Sequence, residues 1–197
     1  MRLNKRLVLA SQSPRRISLL QQIGLKVDVI PSDIPEEFDP TMSAGENARR
    51  LSLRKAVDVG KRIDDAIIIG ADTIVVIDGM LLGKPSDPDD AIRMLEILSG
   101  RTHTVYTGFS LLDRPSDRSV TDLERTSVTF RRLPRREIEE YVASGSPLDK
   151  AGAYGIQDDY GAVFVTRIEG CFYNVVGFPL ARFYTTLERF QSELGEQ

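Results

Sequence analysis

The amino-acid sequence predicts a mixed α/β fold, in which a twisted sheet with flanking helices forms two lobes around a cleft. Strand-like and helix-like segments alternate along most of the chain, which is typical of α/β proteins. Two long strand-like segments also follow one another directly, so antiparallel pairing is expected beside parallel pairing. The chain has 197 residues, 41% hydrophobic and 28% charged, which suits a globular protein with a substantial core. No linker-like segment interrupts it, so we expect one domain over residues 1–197.

The first three elements are predicted from short patterns. Residues 6–10 form an apolar run that is typical of a buried strand. Residues 13–24 carry apolar side chains at helical spacing, and Gly24 is expected to end that helix. Residues 26–31 alternate between polar and apolar side chains, as a half-buried strand does.

The next elements are a long helix and the most apolar stretch of the chain. Ser43 and Glu46 form a capping-box pattern, which predicts the start of a helix that continues to about residue 62. Residues 66–72 are expected to be a strand buried on both faces. The pair Asp78-Gly79 then predicts a hairpin turn into residues 80–85.

The second half of the chain continues the alternation. Asp87-Pro88 starts a helix that Gly100 closes. The two long strands that follow are expected over about residues 102–112 and 120–130. The last predicted elements are a helix, a strand and an amphipathic helix over residues 135–145, 161–170 and 179–190.

The segment "SQSPRR" ends the first strand and raises a question about charge. Ser13 is suited to the N-cap and Pro14 to the first helical turn, where its missing N–H has no partner to lose. Arg15 and Arg16 place positive charge where the helix macrodipole disfavours it. A bound anion would reverse that cost, and helix N-termini with hydroxyl and guanidinium groups are suited to phosphate. We therefore predict a phosphate site here.

The motif "GADT" suggests a catalytic carboxylate. Asp72 is predicted to lie at the carboxyl end of the buried strand, where ligands gather in open α/β sheets. A carboxylate there could be a metal ligand or a general base. The alternative is that Asp72 only caps a turn, which is a common role for Asp at strand ends.

Several further charged side chains are candidates for the same site. Lys84 and Lys150 lie in loops marked by glycine and proline, where binding residues are often found. Lys55 belongs to the long helix, and Glu36 to an acidic loop. For each of them a simple solvated side chain is the alternative. The helix has a basic face, which usually means a solvated one, formed by Arg49, Arg50, Arg54, Lys55, Lys61 and Arg62.

Composition and sequence motifs argue against several classes of protein. A net charge of −3 argues against a nucleic-acid-binding protein. Cys171 is the one cysteine, so no internal disulfide can form, and a reducing cytoplasmic location is expected. No apolar run is long enough for a membrane-spanning helix, and the N-terminal residues do not resemble a signal peptide. His103 is the one histidine and is interpreted as a core or surface residue. The phosphate-binding P-loop and dinucleotide-binding glycine motifs are both absent.

Taken together and in this order, the motifs resemble the Maf family of nucleoside triphosphate pyrophosphatases over about residues 7–190. The segments that carry the resemblance are "SQSPRR", "IPEE", "RKA", "GADT", "GKP", "LSGRTHTVYTG", "PLDKAGAYGIQ" and "IEGCFYNVVGFPL". The resemblance implies a mixed α/β, ITPase-like fold, often dimeric. It also implies hydrolysis of a nucleoside triphosphate to the monophosphate and pyrophosphate with a divalent cation, Mg²⁺ or Mn²⁺.

The resemblance also implies roles for individual residues. Asp72 would be the general base and, with Glu36, would hold the metal. The implied contacts to the triphosphate are Ser13, Arg15 or Arg16, Lys55, Lys84 and Lys150.

Arg15, Thr73 and Gln157 match the branch that resembles dTTP/UTP pyrophosphatases, and a Gln amide can pair with a pyrimidine imide. Asp158 departs from the glycine that the family often has after Gln157.

The expected partner is a small nucleotide, with a homodimer as the expected assembly and neither nucleic acid nor membrane as a partner. Two alternatives stay open. One is a nucleotide-binding regulator of cell division (septum formation) with little turnover. The other is a nucleic-acid binder that uses the basic helix.

Overall fold

A computed structural model describes residues 5–157 and 160–195, so Asp158 lies outside the described residues. These residues form a seven-stranded mixed sheet with helices. The strands are β1 (Leu7–Leu9), β2 (Asp28–Val29), β3 (Ala66–Ile77), β4 (Met80–Leu82), β5 (Thr102–Arg114), β6 (Ser119–Phe130) and β7 (Val165–Glu169). The helices are α1 (Pro14–Gln22), α2 (Ala44–Gly60), α3 (Pro88–Leu98), α4 (Arg135–Ala143), α5 (Phe172–Val176) and α6 (Leu180–Gly195). The strand order is β2-β1-β3-β5-β6-β7, and β4 pairs with β3.

The chain divides into two compact units, which are described separately. The first unit comprises Met1–Asp72, Thr107–Glu124 and Gly177–Gln197, and the second comprises Thr73–Tyr106 and Arg125–Val176. The expectation of one domain with two lobes around a cleft stays a prediction.

Parallel pairing organises the first unit. β1 lies between β2 and β3, with Val8 opposite both Asp28 and Ile68. Both neighbours run parallel to β1, which is why the residues between them must cross over as helices and loops. An apolar cluster packs on this part of the sheet, and its members include Val8, Ala56, Val59, Ile68 and Leu112.

Two strand glycines allow α2 to lie directly against the sheet. A Cβ atom at Gly70 would overlap the carbonyl oxygen of Ser52, and one at Gly108 would overlap the backbone of Ala48. Any larger residue at either position would push α2 away from the sheet. Buried hydroxyls add a polar contact here, because Ser52 Oγ and Ser110 Oγ are 2.8 Å apart. The buried side of α2 therefore faces β3 and β5 at backbone distance.

Antiparallel pairs and aromatic packing organise the second unit. β3 and β4 form a hairpin through Asp78 and Gly79, whose φ angles of 49° and 78° suit the twist of a two-residue turn. β6 and β7 pair antiparallel with an irregularity at Thr129/Phe130. The helices α3 and α4 pack on each other, and short 3₁₀ turns at Ser146–Asp149 and Ala151–Ala153 follow α4.

Most predicted elements are present, with four differences. The strand predicted to end at residue 72 continues to Ile77, so Asp72 lies within β3 and the prediction that it lies at a strand end is wrong. The reason is that Val75–Ile77 pair with β4 and extend the strand. β2 has two residues, the first part of the predicted last strand is a 3₁₀ turn over Tyr160–Phe164, and α5 was not predicted.

None of the helices in the part of the chain that the structure describes combines the length and the apolar character needed to cross a membrane.

Replacing Gly108 by Ala tests the close packing of α2. The new Cβ would overlap the backbone of Ala48, and backbone cannot move as easily as a side-chain tip. We expect Gly108→Ala to lower the free energy of unfolding by about 3 kcal/mol, measured by urea denaturation. Gly195→Ala is the matched control, because a Cβ at Gly195 would meet no described atom within 4 Å outside its own helix backbone and its chain neighbours. Equal stability of the two variants would contradict this account of the packing.

Candidate functional site

Both Ser11 and Ser13 contribute to the start of α1. Ser13 occupies the N-cap with extended backbone, and Pro14 opens the helix, as predicted. The Ser13 side chain makes no capping hydrogen bond. Instead Ser11 Oγ accepts hydrogen bonds from the Ser13 N–H at 3.2 Å and from Arg16 at 3.1 Å. Ser11 is thus a residue that the sequence reasoning missed, although it belongs to the same motif.

The structure separates the two arginines of this turn. Arg16 is 8% exposed and donates to the carbonyl oxygens of Ala71, at 3.0 Å, and Gly177, at 3.1 Å. Arg15 is partly exposed. The sequence alone did not distinguish Arg15 from Arg16. In the structure Arg16 donates to backbone carbonyl oxygens, one of which belongs to Ala71, the residue before Asp72. Arg16 is therefore part of the support of this site.

A lysine joins two carboxylates beside Arg16. Lys55 Nζ donates to Asp72 Oδ1 at 2.6 Å and to Glu36 Oε1 at 2.6 Å. Asp72 and Lys55 are 5% and 6% exposed, whereas the Glu36 side chain is about half exposed. The two acceptor oxygens share one ammonium group, so they cannot be further apart than twice 2.6 Å. Glu36, Lys55 and Asp72 are therefore brought together, as the sequence predicted.

The loop that carries Glu36 is held by hydrogen bonds to α2 and to Arg62, which follows that helix. Arg50 donates to the Glu37 carbonyl at 2.7 Å, and Arg62 donates to the Pro31 carbonyl at 3.0 Å. Asn47, fully buried, bonds the backbone of Asp39 in both directions. The basic face of α2 was interpreted as solvated, and for Lys55 that is wrong, because Lys55 is 6% exposed. Arg50 is partly exposed, and Arg62 is exposed as that interpretation expects.

Burial and neighbouring charges shift the pKa values of this cluster in opposite directions. Burial raises the pKa of Asp72 above its ordinary value, while Lys55 and Arg16 act in the opposite direction. Burial also lowers the pKa of Arg16, and the nearby carboxylates Asp72 and Glu36 partly offset that shift. Each buried charge thus depends on the others for its ionised form.

The donor set is suited to a divalent cation that shares its ligands with a substrate. Within residues 5–157 and 160–195, no cluster of three or more His, Cys, Asp or Glu side chains forms a complete metal cage. Glu36 and Asp72 supply two carboxylates, and Mg²⁺ often takes one or two carboxylates together with substrate phosphates. The pair therefore fits an oxygen-seeking cation better than it fits zinc.

The other predicted site residues belong to the second unit. Thr73 follows Asp72 on β3 and is partly exposed, and Lys84 is exposed in the loop after β4. Lys150 donates to Asp149 at 2.8 Å and to the Ser146 carbonyl. The side-chain oxygen of Gln157 is buried and has no hydrogen-bond partner among the described residues. Convergence of these residues with Asp72 on one pocket stays a prediction.

Comparisons with known proteins give a consistent result. The family model for Maf-like protein matches residues 6–190. A "dTTP/UTP pyrophosphatase" of Caldicellulosiruptor bescii is 43% identical over 194 residues, covering 96% of this chain and 97% of that protein. A protein of the same name from Acetivibrio thermocellus is 47% identical over 94% of this chain and 95% of its own. Another, from Syntrophotalea carbinolica, is 49% identical over 93% and 84%.

Replacing Lys55 by Met tests the buried cluster. Asp72 would lose its nearest cation, so we expect Lys55→Met to lower the free energy of unfolding at pH 7 by about 3 kcal/mol. Lys61→Met, an exposed lysine after the same helix, is the control and should stay within about 0.5 kcal/mol of the parent.

The pH dependence of this deficit follows from the raised pKa of Asp72. Without Lys55 that pKa rises further, so the folded protein takes up a proton before the unfolded chain does, whose Asp titrates near 3.8. The deficit of Lys55→Met should therefore shrink as the pH falls from 7 toward 4. A deficit that is constant over this range, in urea denaturation, would contradict an ionised Asp72 as its cause.

Proposed function

Because this chain belongs to the Maf-like protein family, we propose that it hydrolyses dTTP and UTP to the monophosphate and pyrophosphate. The observation that carries the proposal is the buried cluster of Asp72, Lys55 and Arg16 with Glu36 at its exposed side. Relatives that are 43% to 49% identical over nearly the whole chain are named for that activity. The alignments extend through both units, so every proposed site residue lies inside the matched region.

The reaction needs a nucleophile, charge neutralisation and a leaving group. Water attacks the α-phosphorus, the bond to the bridging oxygen breaks, and pyrophosphate leaves with that oxygen. Water must lose a proton as the new P–O bond forms, and a buried carboxylate is a suitable acceptor because burial raises its pKa above the ordinary value. Asp72 is the residue to which we assign this role.

Lys55 gives Asp72 a fixed orientation. Its bond to Oδ1 at 2.6 Å holds one carboxylate oxygen in place and keeps the group ionised in a buried position. Its second bond, to Glu36, links the acidic loop to the same point. We propose Glu36 and Asp72 as the residues that hold a divalent cation, Mg²⁺ or Mn²⁺. When bound, the cation would neutralise phosphate charge as it develops.

Positive side chains would bind the triphosphate. In the first unit Arg15 lies at the start of α1, where backbone N–H groups and the macrodipole favour an anion, and Ser13 offers a hydroxyl that is not used as a cap. In the second unit Lys84 and Lys150 are the proposed phosphate contacts. A local set of cations is required because the chain as a whole has a net charge of −3.

Base selection is assigned to Gln157 and Thr73. A buried amide oxygen without a donor costs about 1–3 kcal/mol, and a ligand N–H in its place would remove that cost. Uracil and thymine both carry an imide N–H, which cytosine lacks. The orphaned oxygen therefore supports a pyrimidine imide as the recognised group. The homodimer and the cytoplasmic location stay predictions.

Pyrophosphate release tests the proposed function. We expect the protein to release pyrophosphate from dTTP and UTP with Mg²⁺ or Mn²⁺, and to stop when EDTA is added. Asp72→Asn should lower kcat by about 100-fold or more, because the amide cannot accept the proton, while dTTP binding changes little.

Asp113→Asn is the matched control, since Asp113 is also buried and also bonded to a lysine, Lys5, at 2.7 Å. Turnover of Asp72→Asn near that of the parent would refute the role of Asp72. Binding of dTTP by the parent without any release of pyrophosphate would instead support a nucleotide-binding regulator.

Gln157→Ala tests base selection. We expect the ratio of kcat/KM for dTTP over dCTP to fall about tenfold, since the imide contact is lost, while kcat for dTTP falls much less. Gln191→Ala, on α6, serves as the control and should leave the ratio unchanged. An unaltered ratio in Gln157→Ala would remove Gln157 as a base contact.

A further inference from the structure

Two aromatic rings pack against the single histidine in the core of the second unit. His103 on β5, Phe130 on β6 and Tyr154 all lie edge to face with one another, with centroids 4.7–5.3 Å apart. His103 is 2% exposed and Tyr154 is 6% exposed. The sequence interpretation of His103 as a core or surface residue is thus resolved in favour of the core. The sequence did not predict its partner, Tyr154.

A hydrogen bond of 2.7 Å joins His103 Nε2 to the Tyr154 hydroxyl. Burial lowers the pKa of His103 to about 4, so the ring is neutral near pH 7. Among the described residues the other ring nitrogen, Nδ1, has no partner. An apolar side chain would fill this position without an unpaired nitrogen, so packing alone does not account for a histidine here. The hydroxyl of Tyr154 does account for it, because a buried hydroxyl needs a partner.

Tyr154 belongs to residues 150–157, which we call the Lys150–Gln157 segment. This segment has an unusual backbone, with consecutive positive φ angles at Gly152 (71°) and Ala153 (59°). A left-handed conformation is unfavourable for Ala and persists only where the surroundings enforce it. Ala153 is fully buried, and a Cβ at Gly152 would press on Val75.

Three contacts enforce this conformation at the centre of the segment. The Gly152 N–H donates to the Gly83 carbonyl at 3.0 Å, beside Lys84 in sequence. The Gly155 N–H donates to the Tyr141 hydroxyl at 3.3 Å. The hydroxyl of Tyr154, between these two, is held by His103. The fixed centre lies between two proposed substrate contacts, Lys150 and Gln157.

We propose that His103 is a positioning residue for base selection, acting through the Tyr154 hydroxyl on the segment that carries Gln157. This inference rests on the proposed function, because it assumes that Gln157 contacts the base. Loss of the hydrogen bond lets the segment relax from its left-handed conformation, and Gln157, three residues after Tyr154, then loses its defined position. Asp72 is on the other unit and keeps its own hydrogen bond to Lys55, so the chemical step is affected less than recognition is.

Tyr154→Phe is the sharpest test, because it removes one oxygen and keeps the ring. We expect KM for dTTP to rise about fivefold and the ratio of kcat/KM for dTTP over dCTP to fall about fivefold, with kcat for dTTP changed less than twofold. His103→Leu should give the same pattern. His103→Gln, whose amide can still bond the hydroxyl, should recover at least half of the selectivity lost in His103→Leu. The double variant of Tyr154→Phe and His103→Leu should be no less selective than either single variant.

Ser110→Ala is the matched control, because it removes a buried hydroxyl contact in the first unit and leaves the segment unchanged. It should lower the melting temperature without altering the selectivity ratio. Variants at His103 and Tyr154 that lose stability but keep KM and the ratio would overturn the proposal and leave a purely structural histidine. A parent protein that releases no pyrophosphate from any nucleotide would be a failure of the proposed function, which is a separate outcome.

Discussion

The buried carboxylate of Asp72 is the constraint on which the first unit depends. A charge that is 5% exposed must be paired, because its desolvation is otherwise too costly. The pairing comes from two directions, with the Lys55 ammonium on α2 and the Arg16 guanidinium on α1. Lys55 can reach Asp72 only if α2 lies close to β3, and that closeness requires glycine at positions 70 and 108. The strand glycines, the helix and the charge cluster therefore form one arrangement.

Burying the charges of Asp72, Lys55 and Arg16 costs stability, and this supports the proposed chemical role of the cluster. Replacing a buried ion pair by apolar side chains of similar volume is often neutral or stabilising in proteins. The core around Val8, Ala56 and Leu112 shows that this unit packs apolar side chains well. Lys55 and Asp72 are thus not needed to close the core. Buried, mutually dependent charges beside an acidic loop support the proposed site for a polyanion and a cation.

The parts of the structure that depend on local patterns could be predicted from the sequence. The capping box of Ser43 and Glu46 and the hairpin turn at Asp78-Gly79 are satisfied by neighbouring residues, so their signals are complete within four positions. The continuation of β3 past Asp72 could not be predicted in the same way, because it depends on pairing with β4.

In the site, too, residues within short motifs could be identified from the sequence, whereas contacts between residues distant in the sequence could not. The residue types at Glu36, Lys55 and Asp72 were identified from motifs, and the structure joins them. The different roles of Arg15 and Arg16 were not identified, because the partners of Arg16 lie 55 and 161 residues away in the sequence. Likewise nothing near His103 in the sequence points to Tyr154, which is 51 residues away.

The acidic composition of the chain and its proposed polyanionic substrate are compatible because charge acts locally in this protein. Charges on the surface are screened over about 10 Å at ordinary salt, so the net charge of −3 has little influence inside a site. Around Asp72 the first turn of α1 contains two arginines and no acidic residue. Arg16 donates to the Ala71 carbonyl and its charge stabilises the ionised form of Asp72, while Arg15 adds a second positive charge near the positive end of the helix. A phosphate bound at that end of α1, as proposed, would offset the cost of a positive charge at Arg15.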